Sequence, residues 1–169
     1  MCIRDRHSHE RGTGDGLGYT VNIPMPDQCT DGDYLHVLKP LLDGIAHAFR
    51  PELVVVSAGF DPHRDDPIGD QRVSASGFAS MTGLVQALAD RVCDGRLVLA
   101  LEGGYDLRGT AESVRDCLAV MTGATPEDAP RPTLRADAML RELATCHPDW
   151  LDGRRPRAPG AHVLGGSER

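Results

Sequence analysis

Three short apolar runs divide the chain, and each of them has the length of a β-strand. They cover residues 19–23, 53–57 and 97–101. The second and third runs are continuous and aliphatic, which is typical of strands that are buried on both faces of a parallel sheet. The pattern therefore predicts three strands, the last two of them covered on both sides.

Amphipathic patterns with an apolar residue every three or four positions follow these runs and predict helices. The expected helices cover residues 34–49, 77–92, 110–122 and 134–145. Asp31 is the expected N-cap of the first helix, Pro40 is expected to kink it or to begin a second helix, and Gly123 is expected just beyond the third. Strands and helices that alternate in this way predict an α/β fold with a parallel sheet covered by helices.

The 169 residues fit one domain of ordinary size, and their charge is unbalanced. The chain has 18 Lys and Arg against 25 Asp and Glu, a net charge of −7 that argues against direct binding of nucleic acid or of an anionic membrane. No apolar run approaches the roughly 20 residues that span a bilayer, and no secretory signal is visible. The five cysteines are scattered without a Cys-x-x-Cys pair, so we expect a reducing, cytoplasmic location.

Polar loops follow the second and third predicted strands. Asp61 lies just beyond the second strand, and Tyr105 lies beyond the third in a Glu-Gly-Gly-Tyr sequence. Neighbouring parallel strands are about 4.8 Å apart and end at the same edge of a sheet, so both side chains can face one pocket. A carboxylate there could bind a divalent metal, and a phenol could donate to a developing oxyanion. The local pattern alone favours plainer roles, which are a turn or helix cap for Asp61 and a packed aromatic ring in a tight chain reversal for Tyr105.

Three segments in this order and spacing resemble the zinc-dependent histone deacetylases. They are GLGYTVNIP at residues 16–24, VVSAGFDPH at 55–63 with DPIG at 66–69, and LALEGGYDL at 99–107. The likeness is closer to the class II branch and its bacterial relatives, the acetoin-utilization and acetylpolyamine deacetylases, and it covers roughly residues 12–123. It implies a three-layer α/β/α fold with a mainly parallel sheet, of which this chain would hold the last strands.

The resemblance also implies roles for single residues. Asp61 matches the second zinc-ligating aspartate of the family, and Tyr105 matches the tyrosine that hydrogen-bonds the substrate carbonyl and stabilises the tetrahedral oxyanion. Gly103 and Gly104 match the loop that lets this tyrosine reach the metal. Tyr19 falls near a position whose backbone helps to bind a structural monovalent cation such as K⁺ in some members.

The substrate implied by the resemblance is an acylated amine, whose amide is hydrolysed to release acetate. Asp66-Pro67 is followed by Ile68, and lysine-directed members of the family have an aliphatic residue at that position. This favours an acylated lysine, and an acylated polyamine stays open because the bacterial polyamine deacetylases recognise charge through other residues.

The chain departs from the family in one large way. The tandem histidines that act as general base and acid are absent, and so is the Asp-x-His pair that supplies the other two zinc ligands. Asp61-Pro62-His63 has the Asp-x-His spelling but aligns with the second-aspartate loop, where the residue matching His63 is not a ligand. His7 and His9 are expected to be solvated.

We therefore expect a C-terminal part of a longer deacetylase, inactive alone because one zinc ligand of three cannot hold a catalytic metal. The expected division is a non-native or disordered leader at residues 1–11, the catalytic-domain part at 12–151 and a disordered tail at 152–169. An incomplete sheet leaves an unpaired edge and apolar surface, which predicts poor solubility or homo-oligomers.

Two other functions stay open, namely a catalytically dead deacetylase-like module that binds an acylated ligand or a partner, and an unrelated Rossmann-like nucleotide binder. Four alternate glycines at residues 12–18 suggest a dinucleotide motif, but that motif needs a strand before it and a helix after it, so a mobile loop is favoured. An arginine cluster could contact an acidic partner, although a solvated tail is favoured for Arg154, Arg155 and Arg157.

Overall fold

The computed structural model describes residues 7–128 and 130–156. Within these residues the chain forms two β-strands and five α-helices, and the order follows the predicted alternation. The elements are α1 (Asp31–Ala48), β1 (Val54–Ala58), α2 (Ala75–Cys93), β2 (Leu97–Leu101), α3 (Leu107–Met121), α4 (Leu134–Cys146) and α5 (Pro148–Leu151).

The two strands pair in parallel, with Val54 opposite Leu97 and Ala58 opposite Leu101. The crossover between them contains α2, so the predicted strand–helix–strand unit and the α/β class are confirmed. The expectation that these strands are buried on both faces is wrong for the described residues. Val55 is 62% exposed and Val98 is 49% exposed, because the helices cover only the face that carries Val56 and its neighbours.

The strand predicted at residues 19–23 does not form in the described part of the chain, where the sheet consists of β1 and β2. Val21, Ile23 and Met25 pack instead on a buried cluster from α1 and α4. Ile23 and Met25 also line, together with Val56 of β1, a cavity of about 390 Å³, and the described residues show no strand paired with this segment. Its apolar residues are satisfied by helix contacts, and a strand needs a neighbour as well as apolar residues.

Long-range contacts fix the start of α1, and they correct the predicted cap. Thr30 is the N-cap, and the buried carboxylate of Asp33 accepts the Thr30 N–H at 2.8 Å and the Thr133 N–H at 2.6 Å. Asp31 is the first helical residue, and its carboxylate accepts the backbone N–H and the hydroxyl of Ser74, each at 2.7 Å. The three helices α1, α2 and α4 are thus joined at their N-terminal ends. Pro40 lies inside α1 without beginning a second helix.

The other helix boundaries follow their caps. Ser74 caps α2 and Asp106 caps α3, so both helices begin earlier than predicted, α3 by three residues. Gly123 follows the end of α3 with φ of 106°, a conformation that favours glycine, as predicted. The predicted fourth helix is confirmed as α4, and no helix among the described residues is long and apolar enough to cross a membrane.

The described parts of the two chain ends pack against the fold, which differs from the expected solvated ends. The carbonyl of buried Ser8 accepts a 2.7 Å hydrogen bond from His147 Nε2. Arg155 is exposed, as expected, but it also donates to the carbonyls of Ala48 and Phe49 at the end of α1, at 2.8 and 3.0 Å. His7 and His9 are exposed, as expected. The remainder of both predicted end segments, including Arg157, lies outside the described residues.

We predict a loss of stability on mild acidification that depends on His147. Burial lowers the pKa of His147 from its ordinary value of 6.5, because the charged imidazolium would be desolvated. The unfolded chain then takes up this proton more readily than the folded chain, so the free energy of unfolding falls as the pH drops through 6.5. Urea titrations from neutral to mildly acidic pH measure this slope.

The slope should disappear in His147→Gln and persist in His9→Gln, since His9 is exposed. An unchanged slope in His147→Gln would contradict the assignment.

Candidate active site

The loops that carry Asp61 and Tyr105 are hydrogen-bonded to each other. Each loop begins at the carboxyl end of its strand, and the Phe60 N–H donates to the Gly103 carbonyl at 2.9 Å. The Glu102 N–H donates to the Ala58 carbonyl at 3.0 Å, which continues the strand ladder into both loops. The structure therefore brings the two loops to one edge of the sheet.

The Asp61 carboxylate is seated against glycine backbone. A methyl group built on Gly59 would come within 2.7 Å of Asp61 Oδ1, and one built on Gly103 within 2.8 Å. Among the described residues no side-chain hydrogen bond involves this carboxylate, and the neighbouring helices are capped by Ser74 and Asp106 instead. Asp61 therefore does not cap a helix, and its oxygens are free to accept from another group.

The backbone before Tyr105 is one that only glycine adopts with ease. Gly104 has φ of 130°, and a Cβ there would lie 2.5 Å from Thr110 Oγ1 and 3.0 Å from Phe60 Cβ. The Tyr105 side chain is 46% exposed, so it is not the packed ring of a plain chain reversal.

Asp66 is a residue of this site that sequence reasoning missed. Its buried carboxylate accepts four backbone N–H groups, from Ile68 at 2.9 Å, Gly69 at 3.1 Å, Tyr105 at 2.7 Å and Asp106 at 3.4 Å. Burial acts to raise the pKa of Asp66, but these hydrogen bonds outweigh it and hold the pKa below 3.8. The Asp-Pro-x-Gly spelling indicates a local turn, and the contacts to the second loop have no sequence signal.

His63 is part of the core. It is buried, its ring stacks on Phe78 at a centroid distance of 6.5 Å, and its Nδ1 accepts the Asp65 N–H at 3.2 Å. Gly109 at the start of α3 leaves the space that the ring fills, since a Cβ there would lie 2.5 Å from Nδ1. The ring of His63 is thus held by packing and by one hydrogen bond.

The described residues do not bring together enough donor side chains to form a metal site. No group of three His, Cys, Asp or Glu side chains in residues 7–128 and 130–156 could hold a metal ion. Asp61 stands as a single donor here, whereas a catalytic zinc ion takes three protein ligands.

An apolar cavity of about 390 Å³ lies behind the Asp61 loop. Gly59, Phe60 and Pro62 form its wall on the loop side, and the other walls come from α1, α2, one residue of α3, the two strands and the segment that carries Ile23 and Met25. Tyr34 on α1 lines the cavity, and burial raises the pKa of its phenol, with the Asp61 charge acting in the same direction. Sequence reasoning gave Tyr34 only a place at the start of a helix.

The glycine run at residues 12–18 does not form a dinucleotide site. It contains a short 3-10 helix at Gly14–Gly16, the described residues show no strand before it, and the next helix, α1, begins only at Asp31. Tyr19 beyond it packs edge-on against Phe49 and Trp150. Its role near a monovalent cation stays a prediction.

Fold and loops together define an α/β protein whose candidate site lies at the carboxyl ends of two parallel strands. The family model described as the histone deacetylase domain matches residues 4–121. A probable deacetylase of Archaeoglobus fulgidus is 43% identical over 103 residues, which is 61% of this chain and 29% of the relative. The chain therefore belongs to the histone deacetylase family.

Other similar proteins include the polyamine deacetylase HDAC10 of Homo sapiens, 42% identical over 121 residues, which is 71% of this chain and 17% of that protein. The solved HDA15 HD domain superposes with a TM-score of 0.75 at 30% identity, covering 87% of this chain and 40% of that one. The solved structure of the histone deacetylase Clr3 superposes with a TM-score of 0.79 at 28% identity, covering 94% of this chain and 27% of that one. The chain thus spans less than a third of the curated relatives named here.

We predict that Gly104→Ala destabilises the chain by about 1–3 kcal/mol, because the added methyl group meets Thr110 and Phe60 at a strained φ. Urea denaturation measures the loss. Gly16→Ala is the control, since a Cβ there meets nothing within 4 Å, and its change should stay within about 0.5 kcal/mol. Equal stability of the two variants would contradict the tight packing of the Gly104 loop.

Proposed function

We propose that the chain is part of a zinc-dependent deacetylase, which hydrolyses the amide of an acetylated lysine or a related acylated amine and releases acetate. The observation that carries this proposal is the hydrogen-bonded pair of loops, which presents an unpartnered carboxylate, Asp61, and an exposed phenol, Tyr105, at one sheet edge. Relatives named as a probable deacetylase and a polyamine deacetylase support the reaction class.

Whether the chain can hold a zinc ion depends on the donor groups that its described residues supply. The Asp61 carboxylate is a suitable oxygen donor, and the absence of a Cβ at Gly59 and Gly103 leaves room for it. The described residues do not add the second and third donors, so they do not form a complete zinc site and no metal-dependent step follows for this chain. We propose that these donors and the catalytic histidines belong to a longer protein, and that the chain by itself has no deacetylase activity.

The chain's own contribution is to bind and orient the acyl group. The Tyr105 phenol donates a hydrogen bond to the substrate carbonyl oxygen, and this bond strengthens as negative charge develops there. Ile68, 58% exposed on the neighbouring loop, offers apolar contact to the alkyl stem of a lysine or a polyamine. The shared loop backbone keeps these two contacts at one edge.

A second candidate is a catalytically dead module that binds an acylated ligand, and the single metal donor favours it. Zinc content separates the two functions. Tight, stoichiometric zinc in the protein encoded by the full reading frame supports the enzyme, whereas its absence together with binding of an acetyl-lysine peptide supports the module.

We predict no turnover of an acetyl-lysine reporter peptide by the 169-residue chain in the presence of added Zn²⁺, because one carboxylate does not hold a catalytic zinc ion. Fluorescence release from the reporter measures the rate, and Tyr105→Phe should leave the background unchanged. Robust turnover that Tyr105→Phe abolishes would overturn this prediction.

In the matching positive experiment, the genomic sequence upstream of the His7 codon is determined, and the protein encoded by the full reading frame is assayed for deacetylase activity. In-frame His-His and Asp-x-His motifs are expected, with Tyr105→Phe lowering kcat by about 10²-fold or more. Tyr19→Phe is the matched control, because it removes the same hydroxyl group from a ring that packs on Phe49 and Trp150 and belongs to neither loop. Motifs without activity, or activity without dependence on Tyr105, would contradict the proposed role.

A further inference from the structure

We propose that Asp66 is a positioning residue, which fixes the Tyr105 backbone at a set distance from the loop that carries Ile68. This inference rests on the proposed function, because it assigns Tyr105 and Ile68 to the substrate. The geometric evidence is that the two oxygens of the Asp66 carboxylate accept hydrogen bonds from different loops. Oδ1 accepts the N–H groups of Ile68 and Gly69, and Oδ2 accepts those of Tyr105 and Asp106.

The bonds to Oδ2 are more than a turn requires. An Asp that closes a local turn needs only the N–H groups two and three residues ahead, and Oδ1 supplies that function for Ile68 and Gly69. Oδ2 reaches a loop 39 residues further along the chain, where the Tyr105 N–H lies 2.7 Å away. The carboxylate therefore links two loops that grow from different strands.

Tyr105 needs such a link because of its neighbours. Gly103 and Gly104 precede it, and a pair of glycines gives the backbone little conformational restraint. The next helix, α3, begins only at Leu107, with Asp106 as its cap. A hydrogen bond to a charged carboxylate is stronger than one between two neutral groups. Asp66 is 8% exposed, so water does not readily replace these bonds.

One planar group therefore sets the spacing of two substrate contacts. Ile68 touches the alkyl stem and Tyr105 holds the carbonyl in the proposed function, and both are anchored through their backbone N–H groups on the same carboxylate. A change of Asp66 is expected to move the Tyr105 backbone relative to the Ile68 loop while the strand pairing stays intact.

Two variants separate the linking role from the turn. Asp66→Asn keeps the size of the side chain but turns an NH₂ donor toward one of the two pairs of backbone N–H groups. Asp66→Ser keeps a short acceptor for the turn and does not reach the second loop. Asp65→Asn is the control, since the side chain of the neighbouring Asp65 is exposed and its carboxylate lies near His63 and Arg64 and makes no hydrogen bond to the second loop within the described part of the chain.

The readout is amide hydrogen exchange and the ¹H–¹⁵N spectrum of the 169-residue chain, which needs neither zinc nor turnover. In Asp66→Ser the Tyr105 amide should lose about tenfold or more of its protection and shift upfield, while the β1 and β2 amides keep theirs. Asp66→Asn should disturb the amides of one of the two loops, and Asp65→Asn neither. Unchanged Tyr105 protection in Asp66→Ser, or a uniform loss across the sheet, would overturn the positioning role.

If a variant fails to fold, the hydrogen bond between Asp66 and Tyr105 is measured directly in the unsubstituted chain. A scalar coupling across the hydrogen bond from Tyr105 N to Asp66 Cγ is expected, and its absence at adequate sensitivity would overturn the link. Failure of the proposed function appears in the turnover assay of the longer protein, so the two failures are distinguishable.

Discussion

The parallel pairing of β1 with β2 is the constraint on which the site depends. In this register Ala58 lies opposite Leu101, so the two strands end at the same level and their loops leave the sheet side by side. The ladder continues beyond the strands through the Phe60 N–H and the Gly103 carbonyl. A slip of this register would separate Asp61 from Tyr105, because each is fixed to the end of its own strand.

Three glycines and one buried carboxylate fix the positions of the two loops at the carboxyl ends of these strands. Gly59 and Gly103 leave room for the Asp61 carboxylate, and Gly104 allows the chain to turn above Phe60. Asp66 then gathers the backbone N–H groups of both loops, so its charge is stabilised where water has little access. The edge is held by backbone contacts, which leaves the Tyr105 phenol and the Asp61 carboxylate for a ligand.

Sequence reasoning identified the elements that depend on local pattern and missed those that depend on distant partners. The strands β1 and β2, the α/β class and the glycine after α3 follow from local periodicity and turn chemistry. The run at residues 19–23 has strand composition but no paired neighbour among the described residues, and the start of α1 depends on contacts of Asp31 to Ser74 and of Asp33 to Thr133. Asp66 is recognisable locally as a turn residue, while its bond to Tyr105 spans 39 positions.

The most direct test of this account is a nuclear Overhauser measurement on the 169-residue chain in solution. Parallel pairing of β1 with β2 predicts cross-strand contacts in the stated register, and a contact between the Phe60 amide proton and the α-protons of Gly103 or Gly104. Together these contacts would place the Asp61 and Tyr105 loops at one edge. Strand contacts in another register, or no contact from Phe60 to the glycine loop, would contradict the account.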